Sequence, residues 1–151
     1  MNGAGSSADV AHRILAENSY ATLATADEDG RPWATPVWFA ARGLREYMWV
    51  SRTTRRHSQN VAHRAEIALV VFDSTSAVGS ASAVYVDAVA ALVADIDIAE
   101  PLAAFNATTR AAGLRPWGES AVTGDAPHRL YRATATQVWV LDDQENRTPV
   151  A

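Results

Sequence analysis

The chain has 151 residues, 48% of them apolar and 20% charged, with a net charge of −4. That balance suits a single domain with a real core, and the acidic charge argues against general nucleic-acid or membrane-surface binding, which needs an extended positive face. There is no Cys and no Lys, which excludes disulfides, thiolate metal sites, Schiff-base chemistry and a P-loop lysine.

Residues 1–6 are small and polar and are expected to be mobile. Ser7 is expected to cap a helix running to about Asn18, with Val10, Ile14 and Leu15 on one face. Tyr20 to Ala26 reads as a strand, and Asp27-Glu28-Asp29-Gly30 as a hairpin turn, because Gly tolerates positive φ. The next strand, Arg31 to Ala41, contains Pro32 and Pro36, which cannot donate to a ladder and so must face an edge, a bulge or a ligand. Arg42-Gly43 turns the chain into Glu46 to Ser51, where Tyr47 and Trp49 share one face and Met48 and Val50 the other.

Thr53 or Thr54 is expected to cap a helix ending near Ala65, and Ile67 to Phe72 is an apolar run of the kind buried on both faces. A Ser/Gly loop follows, then a long Val/Ala strand from Ala83 to Asp95. Asp97 and Glu100 have capping-box spacing before a helix that Gly113 closes. Residues 114–127 read as a loop, Arg132 to Leu141 as the last strand, and residues 143–151 as a polar tail. Six strands joined mostly at hairpin spacing, with three short helices, predict a mainly β antiparallel sheet closed into a small barrel with helices at its ends.

Six of the thirteen Arg residues (Arg42, Arg45, Arg52, Arg55, Arg56 and Arg64) and two of the four His (His57 and His63) fall between Thr35 and Ser74. Such a concentration in an acidic chain points to an anion site, and a phosphate is the commonest biological anion. Arg56 offers a fork of N–H donors, the Ser51 hydroxyl can donate once, and a helix N-terminus nearby adds oriented amides. Arg55 and Arg64 read as surface residues.

The order of a D-x-D-G hairpin, T-P-V-W-F, W-V-S-R, T-T-R-R-H-S-Q-N-V and I-A-L-V-V-F-D resembles the FMN-binding split barrel proteins related to pyridoxamine 5′-phosphate oxidase. The resemblance spans roughly Leu15 to Asp95, and the Trp139 strand more loosely. It implies a six-stranded antiparallel split barrel over residues 1–151, an FMN cofactor, a homodimer with the cofactor between subunits, and oxidoreductase activity on a small molecule. It lays Thr35, Pro36, Val37 and Trp38 along the isoalloxazine, with backbone N–H groups around Val37 and Trp38 tuning the ring. Val50 and Ser51 fall at the ribityl-phosphate end, and the Arg-Lys pair of the oxidases falls on Arg56 and His57. An imidazole in place of the lysine makes the charge at that position depend on pH near neutrality. The oxidases' C-terminal Arg-x-His-x-Arg segment has no counterpart after Gln137 to Val140, so pyridoxamine phosphate oxidation is not expected.

His12, His63 and His128 stand singly, without metal-ligand spacing, and no G-x-S-x-G elbow is present. Relatives of the same fold use the deazaflavin F420 or haem, and these are the alternative cofactors. A non-catalytic flavin-binding or sensor protein is the alternative role. Residues 74–82 and 114–127 are the loops expected to select a substrate. No apolar run approaches the roughly 20 residues that span a bilayer, and the N-terminus lacks a signal-peptide core, so a cytoplasmic location is expected.

Overall fold

A computed structural model describes residues 5–150; the expectation of mobility for residues 1–4 lies outside them. Helix α1 (Ser7–Glu17) is capped by Ser6 rather than Ser7. The Ser6 hydroxyl accepts from the Asp9 N–H while the Asp9 carboxylate accepts from the Ser6 N–H, so two amides are satisfied reciprocally. Ala11, Ile14 and Leu15 then share its buried face.

The strands are β1 (Tyr20–Ala26), β2 (Pro32–Trp38), β3 (Ala40–Arg42), β4 (Glu46–Arg52), β5 (Glu66–Phe72), β6 (Ala83–Leu92), β7 (His128–Leu141) and β8 (Arg147–Pro149). They form one antiparallel sheet in the order β2-β1-β5-β6-β7-β4-β3, with β8 added to β7. The sheet curls so that β2 approaches β4 without pairing to it, a half-barrel as the split-barrel resemblance implies rather than the closed barrel read from the strand pattern. The six longer strands correspond to the expected six, except that β2 ends at Trp38 rather than Ala41, β6 at Leu92 rather than Asp95, and β7 starts at His128 rather than Arg132. The expected Arg31–Ala41 strand is broken at Phe39 into β2 and the short β3, and β8 lies in the expected polar tail, where three residues carry no measurable alternation.

Strict alternation fills the barrel. Ala21 and Leu23 of β1, Leu69 and Val71 of β5, Val84 and Val86 of β6, and Tyr47 and Trp49 of β4 all enter the core. Thr136 is an extra residue in β7: Asp87 pairs Gln137 while Ala88 pairs Ala135. This bulge flips the side-chain parity, so Val138 and Val140 on one side of it and Ala133 and Tyr131 on the other all point inward.

A second apolar cluster lies on the opposite face of β4, where α3 (Ala99–Ala111) sets Leu102 and Phe105 against Met48 and Leu130. The expected capping box before α3 is absent. Asp95–Asp97 forms a 3-10 turn, Ile98 occupies the N-cap position, and the Glu100 carboxylate takes the Arg42 guanidinium instead. Residues 114–127 are anchored rather than free. The Asn106 side chain clamps the Trp117 backbone through two 2.8 Å bonds, and Val122 is fully buried.

Leu23 is fully buried at the centre of the main core, whereas Val78 is fully exposed. Leu23→Ala is expected to lower stability by about 2–5 kcal/mol, and Val78→Ala to stay within about 0.5 kcal/mol; urea unfolding midpoints check both.

Candidate functional site

The mouth of the half-barrel is filled by α2 (Arg56–His63), which buries His57, Ser58, Asn60 and Val61. The helix starts later than expected and stops at His63 rather than Ala65. Thr53 and Thr54 do not cap it. The Thr53 N–H is bonded to the Pro127 carbonyl and the Arg55 N–H to that of Arg52, which places Arg55 at the N-cap with no side-chain bond to the helix. The first-turn amides of α2 therefore keep their donor capacity, at the positive end of a helix and beside Arg52, Arg55 and Arg56.

Ser51 and His57 are joined at this place. Ser51 lies on the inward-facing parity of β4, two residues beyond Trp49, and its Oγ shares a 2.7 Å hydrogen bond with His57 Nε2. Neighbouring Ser58 was missed by sequence reasoning, which offered no signal for it. It is 3% exposed, and its hydroxyl has no hydrogen-bond partner among the described residues. Arg56 remains exposed and makes no ion pair among the described residues. Open amides, an unpaired guanidinium, a Ser–His pair and an orphaned buried hydroxyl form a donor set that suits a phosphate.

The remaining candidates line β2 and the far side of β4. Val37 enters the main core, Thr35 is half-buried on that same face, and Pro36 is exposed. Trp38 packs edge-on against Phe105, with ring centroids 5.4 Å apart, and Val50 joins the same second cluster, so these two side chains lie away from Ser51 and His57.

The backbone of β2 shows what the prolines do. Phe39 donates its N–H to the Ser19 carbonyl, so odd-numbered residues of this strand direct their N–H groups toward β1. Pro32, Ala34, Pro36 and Trp38 therefore turn their backbone polar groups to the unpaired edge, where a missing proline N–H breaks no ladder bond. The Val37 N–H is spent within the sheet, contrary to the expectation that it would reach a ligand. Those of Ala34 and Trp38 are free to do so.

An open depression of about 1100 Å³ flanks α2, lined by Arg31, Thr53, Arg56, Ser58, His63 and Tyr131 among others. Among the described residues no helix is long and apolar enough to cross a membrane.

The family model for pyridoxamine 5′-phosphate oxidase matches residues 8–142. The chain belongs to that family. Among solved structures it is similar to a haem-binding protein from Mycobacterium smegmatis, at 19% identity and a TM-score of 0.77, covering 99% of this chain and 59% of the other. The chain thus spans about three-fifths of that protein's length. It is also similar to an FAD-binding protein from Mesorhizobium loti (19% identity, TM-score 0.67, covering 89% and 93%) and to an F420 reductase (20%, 0.61, 85% and 94%). At these identities the likenesses establish the fold. Comparison with curated proteins finds no match.

Burial, reinforced by the Arg55 charge, holds the His57 imidazole below its ordinary value of 6.5. The unfolded chain then binds more protons than the folded one just below that value. Stability from this group is complete above about pH 6.5 and declines as the pH falls through the lowered folded value. The urea midpoint is expected to drop between about pH 7 and about pH 5, and His57→Gln to flatten that drop. Parallel pH profiles in the two proteins would exclude His57 as its source.

Proposed function

We propose that this member of the pyridoxamine 5′-phosphate oxidase family is an FMN-dependent oxidoreductase acting as a homodimer on a small molecule. The observation that supports the reading is the set of donors around the start of α2: the Ser51–His57 pair, the Arg56 guanidinium with no ion pair among the described residues, and amides without a side-chain cap. In this reading Arg56, His57, Ser51 and Ser58 hold the phosphate, and the unpaired edge of β2 offers the Ala34 and Trp38 N–H groups and the Pro36 carbonyl to the ring. A bound flavin supplies the electron transfer; the protein supplies orientation, hydrogen bonds and shelter from water. No side chain need act as a general acid or base.

Homodimer formation draws support from the outer face of the sheet. Val70, Tyr85 and Trp139 line a shallow apolar depression of about 490 Å³ there, and Tyr20 and Phe72 are exposed on the same face. A second copy covering this face would enclose a cofactor bound along β2. Sedimentation is expected to show a dimer for the native chain and a monomer for Trp139→Glu.

Arg56→Ala is expected to weaken FMN binding by about 1.5–3 kcal/mol, the worth of a charge-assisted hydrogen bond. An unchanged dissociation constant would remove Arg56 from the site. The structural likeness to the haem-binding and F420 proteins supports a second reading, in which the same fold holds one of those cofactors. The absorbance spectrum of the purified protein and the mass of the released cofactor distinguish the three. Reduction by a nicotinamide donor, followed by turnover with an electron acceptor, distinguishes an enzyme from a flavin-binding or sensor protein.

A further inference from the structure

One face of α2 docks on the β1–β2 hairpin at four-residue intervals. The Arg56 guanidinium lies over the Trp33 ring, 4.4 Å from its centroid. One turn on, the Asn60 amide donates to Thr25 Oγ1 at 2.9 Å in a buried bond. Just past the helix, Arg64 donates to the carbonyls of Asp27 and Glu28 at 3.2 and 3.3 Å. Trp33 and Thr25 are themselves cross-strand partners, so Arg56 and Asn60 meet a matched pair on the sheet.

Trp33 is 40% exposed. Its contact with Arg56 gives it a task. Stacking engages the flat face of a guanidinium and leaves its N–H donors, which lie in the plane, free for an acceptor. The nearby Asp27 carboxylate makes no hydrogen bond to them; its Oδ1 accepts from the Asp29 and Arg31 N–H groups within the hairpin turn.

We propose that Trp33 is a positioning residue for anion recognition. It holds the Arg56 guanidinium by its face so that the fork of donors is set before the phosphate arrives, and the entropy of ordering a long side chain is met during folding rather than on binding. This rests on the phosphate reading of the α2 site.

The test compares dissociation constants for FMN and for riboflavin, which lacks the phosphate. It uses the native chain, Trp33→Ala, Trp33→Leu, Trp33→Phe, Arg56→Ala and the Trp33→Ala/Arg56→Ala double variant, with thermal unfolding confirming that each is folded. Trp33→Ala and Trp33→Leu are expected to weaken FMN about five- to tenfold and to leave riboflavin unchanged, while Trp33→Phe stays within about threefold of native. The double variant is expected to bind FMN as Arg56→Ala does, because Trp33 acts only through Arg56. Equal losses for FMN and riboflavin, or additive losses in the double variant, would overturn the proposal while leaving the phosphate site standing. Absent FMN binding by the native chain, or Arg56→Ala binding as tightly as native, would overturn the phosphate reading and this inference with it.

Discussion

A short helix carrying more polar than apolar residues has to be seated in the mouth of a curled sheet, and the rest of the site depends on how that is done. Helix α2 buries His57, Ser58 and Asn60 beside a single aliphatic residue, Val61. Buried polar groups are costly unless paired, and two of the three are paired across elements: Asn60 with Thr25 of β1, and His57 with Ser51 of β4. Those bonds tie strands that lie far apart in the sheet order, so they fix the helix relative to both walls of the mouth. The group left over, the Ser58 hydroxyl, sits at the third helical position, next to the open amides.

The sheet leaves a complementary opening. Closure into a complete barrel would require β2 to pair with β4, and Pro32 and Pro36 remove two donors from the edge that would do so. An unpaired edge is ordinarily a hazard, because it invites another strand. Here the prolines blunt it as a strand template while still presenting two N–H groups and their carbonyls. The feature that keeps the barrel split is thus the one that makes a backbone surface available beside the α2 donors.

Membership of the family settles the scaffold and leaves the chemistry to the site. Related structures include haem-, FAD- and F420-associated proteins at about equal distance in sequence from this chain, which is the pattern of one scaffold serving several cofactors. The local features of this chain are an imidazole beside Arg56, an aromatic ring beneath its guanidinium, and a clamped segment at residues 114–127.

The sequence by itself determined the strand pattern, the D-x-D-G hairpin and the concentration of Arg and His around Ser51 and Arg56, because these are encoded in neighbouring residues through period-two burial, positive φ at Gly30 and charge. Capping was less legible. Ser6, Thr53 and Glu100 each stand among several residues able to cap, and contacts as distant as Pro127 and Arg42 decided between them. Only the tertiary structure decided that Asn60 meets Thr25, that Arg56 lies on Trp33, that Ser58 is buried without a partner, and that Trp38 turns toward Phe105. The reason is physical: these contacts join residues from separate elements, and nothing local to either partner specifies them until the sheet curls and the helix is seated in its mouth.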